Sequence, residues 1–110
     1  MHISAEGVLT QLGYNSDENT LRQFEAIAKN TPGFDQIQKH IIALHDHLKN
    51  YGGFVAMSNS VNHLKIKIDT TETSMIEAAK EEIERWAQKY NVNLQKVPNK
   101  ETYYILGIYK

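Results

Sequence analysis

Leu64-Lys65-Ile66-Lys67-Ile68 alternates apolar and basic side chains without a break. Successive residues of a β-strand point to opposite faces, so this run predicts a strand with one face in a core and the other on a polar surface. Extended outward, the pattern gives two strands, Phe54 to Ser58 and Val61 to Asp69, around a polar turn near Asn59-Ser60. So short a connection joins only antiparallel neighbours.

The next segment changes period. Ile76, Ala79, Ile83, Trp86 and Tyr90 fall on one stripe of a helix, with Glu77, Glu81, Glu84, Arg85 and Gln88 on the opposite, solvated side. Asp69 to Thr73 are N-cap candidates, and Ser74 with Glu77 has the spacing of a capping box. Glu81 and Arg85 are spaced for an i, i+4 pair worth about half a kcal/mol. Two more strands follow, Val92 to Val97 and Thr102 to Tyr109, with Pro98 suited to the first corner of the turn between them. In the last strand Tyr104, Leu106 and Ile108 alternate with Tyr103, Ile105, Gly107 and Tyr109. Both sets are apolar, as expected of a strand covered on both sides or one that meets a partner on its second face.

Upstream, Ser4 is placed to cap a short helix carrying Val8, Leu9 and Leu12 that ends at Gly13. Ser16 or Asp17 caps a second helix with Leu21, Phe24, Ile27 and Ala28 on one side, which does not run past Asn30. Thr31 as N-cap with Pro32 at the first helical position opens a third helix. Its stripe is Ile37, Ile41, Leu44, Leu48 and Tyr51, and Gly52-Gly53 ends it. The expected fold is α+β: three N-terminal helices, then β-β-α-β-β, giving a four-stranded, mainly antiparallel sheet with one long helix packed on a face. The other face is either covered by the N-terminal helices or open. The chain reads as a single domain, 1–110, with a helical subregion at 1–51 and the sheet plus long helix at 52–110, because no linker composition separates them.

Composition narrows the function classes. The 110 residues include no cysteine, which removes disulfides, thiolate metal sites and thiol nucleophiles. Met1 to Glu6 has neither a basic nor an apolar signal region, and no apolar run approaches the roughly 20 residues of a membrane span, so a soluble, cytoplasmic protein without a membrane partner is expected. The net charge of -1 is not that of a dedicated nucleic-acid binder. Its distribution is uneven, however. The region 69–88 sets Asp69, Glu72, Glu77, Glu81, Glu82 and Glu84 against Lys80 and Arg85, whereas the flanking strand regions hold lysines and only Glu101.

Chemistry-bearing patterns are sparse. His40, His45 and His47 lie on one helix, but none pair at the i, i+3 or i, i+4 spacing that brings two ligands to one ion. They read as histidines flanking a core stripe with half-exposed rings. A metal would need further ligands such as His63 or His2. There is no Gly-x-Ser-x-Gly elbow, Gly52-Gly53 is too short to cradle a phosphate, and Glu81, Glu82 and Glu84 belong to a wet helix face. Residues 4 to 30 do not offer the basic surface of a DNA-reading helix pair. No catalytic residue, metal or cofactor is expected.

What stands above background is the second face of the sheet. If Leu64, Ile66 and Ile68 face the long helix, Lys65 and Lys67 point away, and in one register Tyr103, Ile105 and Tyr109 join them. Lys65, Lys67, Tyr103 and Tyr109 are therefore the candidate binding residues. The first reading is a small protein-interaction or regulatory domain without catalytic activity, its partner another protein or a second copy in a homodimer through the sheet. The second is a weak binder of single-stranded RNA, with phosphates on the lysines and bases on the tyrosines. An enzyme lacking a local motif comes third.

Overall fold

The computed structural model describes residues 4–15 and 17–108. Helices α1 (Ala5–Gln11), α2 (Glu18–Lys29) and α3 (Phe34–Leu48) lead through a 3-10 turn (Lys49–Tyr51) into strands β1 (Gly53–Met57) and β2 (Leu64–Ile68). Helix α4 (Thr73–Tyr90) and strands β3 (Val92–Lys96) and β4 (Thr102–Ile108) complete the chain. The strands form one antiparallel sheet in the order β1-β2-β4-β3. The fold is α+β, as the alternating periods of the sequence require.

Most helix ends follow from local chemistry. The Ser4 hydroxyl accepts from the Gly7 amide and the Asp17 carboxylate from the Thr20 amide, each satisfying an amide that the first turn leaves unpaired. The expected alternative cap, Ser16, lies outside the described residues. Asn91, with a positive φ of 56°, turns the chain out of α4. Pro98 takes the first corner of the β3–β4 turn, and Asn99 next to it accepts the left-handed conformation.

Three local expectations are corrected. Gly33, not Thr31, precedes the first turn of α3, in a left-handed conformation. Thr31 is buried, and its hydroxyl donates to the Ile27 carbonyl, so it closes the end of α2 instead of opening α3. Helix α4 begins at Thr73, one residue before Ser74, and no capping box forms. The Thr70 hydroxyl accepts from the Glu72 amide instead. Arg85 pairs with Glu82 at 3.0 Å, one residue nearer than Glu81.

Burial follows the period of each element. Val55 and Met57 on β1, Leu64, Ile66 and Ile68 on β2, and Tyr103 and Ile105 on β4 join Ile37, Ile41, Leu44 and Leu48 of α3 and Ala79, Ile83 and Trp86 of α4 in one core. Helix α3 lies on β1 and α4 on β3, side by side on the same face of the sheet. The Trp86 indole N–H donates to the His40 carbonyl at 3.0 Å and ties the two helices together. The long helix therefore shares its face with α3, and α1 and α2 pack onto that same core.

The α2–α3 corner also reaches the sheet. Beyond Leu64, β2 no longer pairs with β4, and there the Ile108 amide donates to the Pro32 carbonyl at 2.9 Å. Between Asn93 and Leu94 the β3–β4 register shifts, leaving Leu106 unpaired in a bulge that is followed by Gly107 at φ +126°. A Cβ at Gly107 would stand 2.7–2.9 Å from Pro32 atoms, two of them backbone. Gly107→Ala is expected to cost about 2–3 kcal/mol from backbone strain and overpacking, read as a lower urea midpoint with an unchanged slope.

Candidate binding face of the sheet

With all four helices on one side, strand alternation sends the other half of each strand to an uncovered face. Across the sheet, Lys65 lies between Ala56 and Tyr104, and Lys67 between Phe54 and Thr102. On β3, Gln95 lies opposite Tyr104. Lys67 and Gln95 are exposed, whereas Phe54, Ala56, Lys65, Tyr104 and Leu106 are half-buried. The β1–β2 and β3–β4 turns add Ser58, Ser60 and Lys100 to a shallow depression of about 480 Å³ that no helix residue lines.

The candidate residues divide. Lys65 and Lys67 stand together on the face away from the helices, which among the described residues is open and not covered by the N-terminal helices. Tyr103 does not join them: it pairs with Ile66 on the helix side and is only 8% exposed. Burial raises its phenol pKa most, with Glu84 adding to the shift, and the Lys96 ammonium sits 5.9 Å from its ring centroid. Tyr109 lies outside the described residues. The tyrosine that accompanies the lysines is Tyr104. Its hydroxyl lies 3.4 Å from Ser60 Oγ, and its pKa is lowered first by that hydroxyl, then by Ser58, with smaller contributions from Lys65 and Lys100.

The electrostatics of this face are one-sided. None of the ion pairs among the described residues involves Lys65, Lys67 or Lys100. The carboxylate at the margin, Glu101, is held by the Lys80 ammonium of α4 at 2.9 Å, which lowers its pKa. The remaining acids lie on the helices and their connections, apart from Asp69 just past β2. A chain of net charge -1 thus presents three uncompensated cations on one surface.

The β1 edge of the sheet is closed by a different device. In the β1–β2 ladder the amides of Val55 and Met57 point outward, where an unpaired strand edge would invite another chain. His45 Nδ1 accepts from the Val55 amide at 2.9 Å, and the Tyr14 hydroxyl accepts from the Met57 amide at 2.8 Å. Sequence reading missed both residues. The only signal was a histidine and a tyrosine near apolar stripes. Of the three helix histidines, expected half-exposed, His45 is buried.

The other two occupy a groove of about 340 Å³ between α3 and α4. His40 stacks on Tyr90 at 3.7 Å, and His47 meets Glu82 at 3.3 Å, the same carboxylate that Arg85 holds. These polar groups are spent on one another, so the groove reads as a clasp between helices. Among the described residues no three His, Cys, Asp or Glu side chains are grouped to hold a metal ion.

Two outcomes follow. His45 must be neutral to accept through Nδ1, and its pKa is lowered, chiefly by burial and then by Lys49, against the pull of Asp46. Its contribution to stability is therefore complete above about pH 6.5, the unfolded value, and is lost as pH falls through the lower folded value. His45→Leu, which leaves the Val55 amide buried and unpaired, should lose about 1–3 kcal/mol near neutral pH and flatten the acid-side decline in chemical denaturation. His45→Gln should recover part of the loss without restoring the pH dependence. Separately, tetranitromethane should nitrate Tyr104 well before its neighbour Tyr103, resolved by fragment-ion mass spectrometry.

No protein-family model, curated protein or solved structure matches this chain.

Proposed function

We propose that this chain is a binding module without chemistry of its own, and that the open face of its sheet docks an anionic partner. One observation carries the reading: Lys65, Lys67 and Lys100 share a helix-free face, none of them is ion-paired among the described residues, Glu101 beside them is taken up by Lys80, and the exposed Asp69 at the end of β2 is a single acid against three lysines. The hydroxyls of Ser60 and Tyr104, next to the buried Ser58 and Thr102, line the same depression and offer donors to an anion.

A second copy of the chain fits this face poorly. A two-fold dimer through the sheet would set lysines against lysines, and like charges across an interface cost several kcal/mol by general experience. The apolar side chains of the face, Phe54, Ala56, Tyr104 and Leu106, are half-buried and interrupted by the lysines, unlike the continuous apolar centre of a stable dimer interface. Among the described residues the one exposed large hydrophobic side chain is Val61, 39% exposed, in the β1–β2 turn. The partner is therefore read as a molecule of opposite sign.

At pH 7 the protein carries a net negative charge, so retention on a phosphocellulose column would have to come from a local cationic patch. The wild-type protein should be retained at low ionic strength, and Lys65→Ala with Lys67→Ala should elute at distinctly lower salt. Lys29→Ala with Lys39→Ala, the same charge change on α2 and α3, should leave elution nearly unmoved. Equal shifts in the two double variants would remove the open face from consideration.

A further inference from the structure

Resting on that reading of the face, we infer that its anionic partner is single-stranded RNA. Three observations select it from among polyanions. The first is aromatic placement. Phe54 and Tyr104 lie on the open face at the ends of a diagonal that crosses β2, two strand spacings over and two residues along, so their Cα atoms are about 12 Å apart. Lys65 and Lys67 stand between them. That separation suits two bases of one extended strand, each laid on its own ring, with the linking phosphates over the ammonium groups.

The second observation concerns what an acidic peptide would need. An extended peptide brings its own amides and carbonyls, and it satisfies them most readily by adding to a free strand edge. The β1 edge, next to the lysine strand β2, is plugged at Val55 and Met57 by His45 and Tyr14, and the other edge, β3, lies two strands away from the lysines. The face itself offers side chains, since its backbone groups are used within the sheet ladder. A nucleic-acid strand makes no such demand. Its backbone asks only for cations and a few donors, which the lysines and hydroxyls supply.

Third, those hydroxyls favour RNA over DNA. Ser58, Ser60 and Tyr104 form a connected set, Ser58 Oγ to Ser60 Oγ at 3.2 Å and Ser60 Oγ to Tyr104 Oη at 3.4 Å, beside Lys65. Hydroxyl groups that both donate and accept are suited to the 2′-hydroxyl, the group by which a protein separates the two nucleic acids.

The test is fluorescence anisotropy with labelled oligouridine of about ten nucleotides, a length within the range of single-strand sites, titrated from about 50 to about 200 mM salt. Engagement of three lysines predicts a fall of log K with log salt of slope about -2, at roughly 0.7 per phosphate contact. Lys65→Ala with Lys67→Ala should bind at least about tenfold more weakly, with a slope shallower by about 1.4. Tyr104→Leu should weaken binding about tenfold at unchanged slope, whereas Tyr104→Phe should keep the stacking contribution and lose only part of the preference for oligouridine over thymidine oligomers. Unaltered thermal midpoints would show that the variants fold. Thymidine oligomers bound as tightly as oligouridine would overturn the assignment to RNA. Polyglutamate bound at least as tightly, with the same lysine dependence, would overturn nucleic acid while leaving the anionic docking face standing. A wild-type protein that binds none of these probes at low salt would overturn the inference outright, and the phosphocellulose comparison would then report whether the face binds anions at all.

Discussion

The structure depends on one constraint, the burial of alternate residues of a sheet under two helices that lie side by side. Val55, Leu64, Ile66 and Ile105 are each no more than 1% exposed. At about 1.5–3 kcal/mol for each buried aliphatic side chain, a one-residue slip in β2 would forfeit several such terms at once and bury two lysines instead. Everything else about the open face follows. Lys65 and Lys67 stand there because Leu64, Ile66 and Ile68 cannot.

Charge segregation is a second consequence of the same geometry. The outer faces of the helices carry most of the acids, and α4 uses Lys80 to take up Glu101, a carboxylate at the margin of the lysine face. The effect is a field across the sheet that a net charge near zero conceals. This long-range ion pair is only half-buried and so contributes little to stability. Its importance here is directional, since it leaves the ammonium groups of the open face with no partner among the ion pairs of the described residues.

The elements, their order and the packing stripes were legible because each has a strong period and clear stops. The parity of β4 was not. Tyr103, Tyr104, Ile105 and Leu106 are apolar on both sides, so no alternation says which tyrosine turns inward. Pairing decides it: Ile66 sits opposite Tyr103, and the strand is held further along by Pro32, whose carbonyl takes the Ile108 amide. That contact links residues far apart in sequence and leaves no local trace. Thr31 and Ser74 were misread for a related reason. Each has the side chain of a cap, but the helix start is set by where the neighbouring elements pack, one or two residues away.

His45 shows what a side chain's period conceals. It sits on α3 among the residues of a core stripe, and nothing in its spacing predicts a bond to β1. Its role arises because β1 is an edge strand whose outward amides sit against a helix and cannot reach water. A strand in that position needs acceptors from whatever covers it, and α3 and the segment after α1 supply one each. The β1 edge is thereby closed to added strands while the face stays open. On the β1 side the fold separates the two surfaces by which sheets usually recognise other chains, and beside the lysines it leaves available the one read through side chains alone.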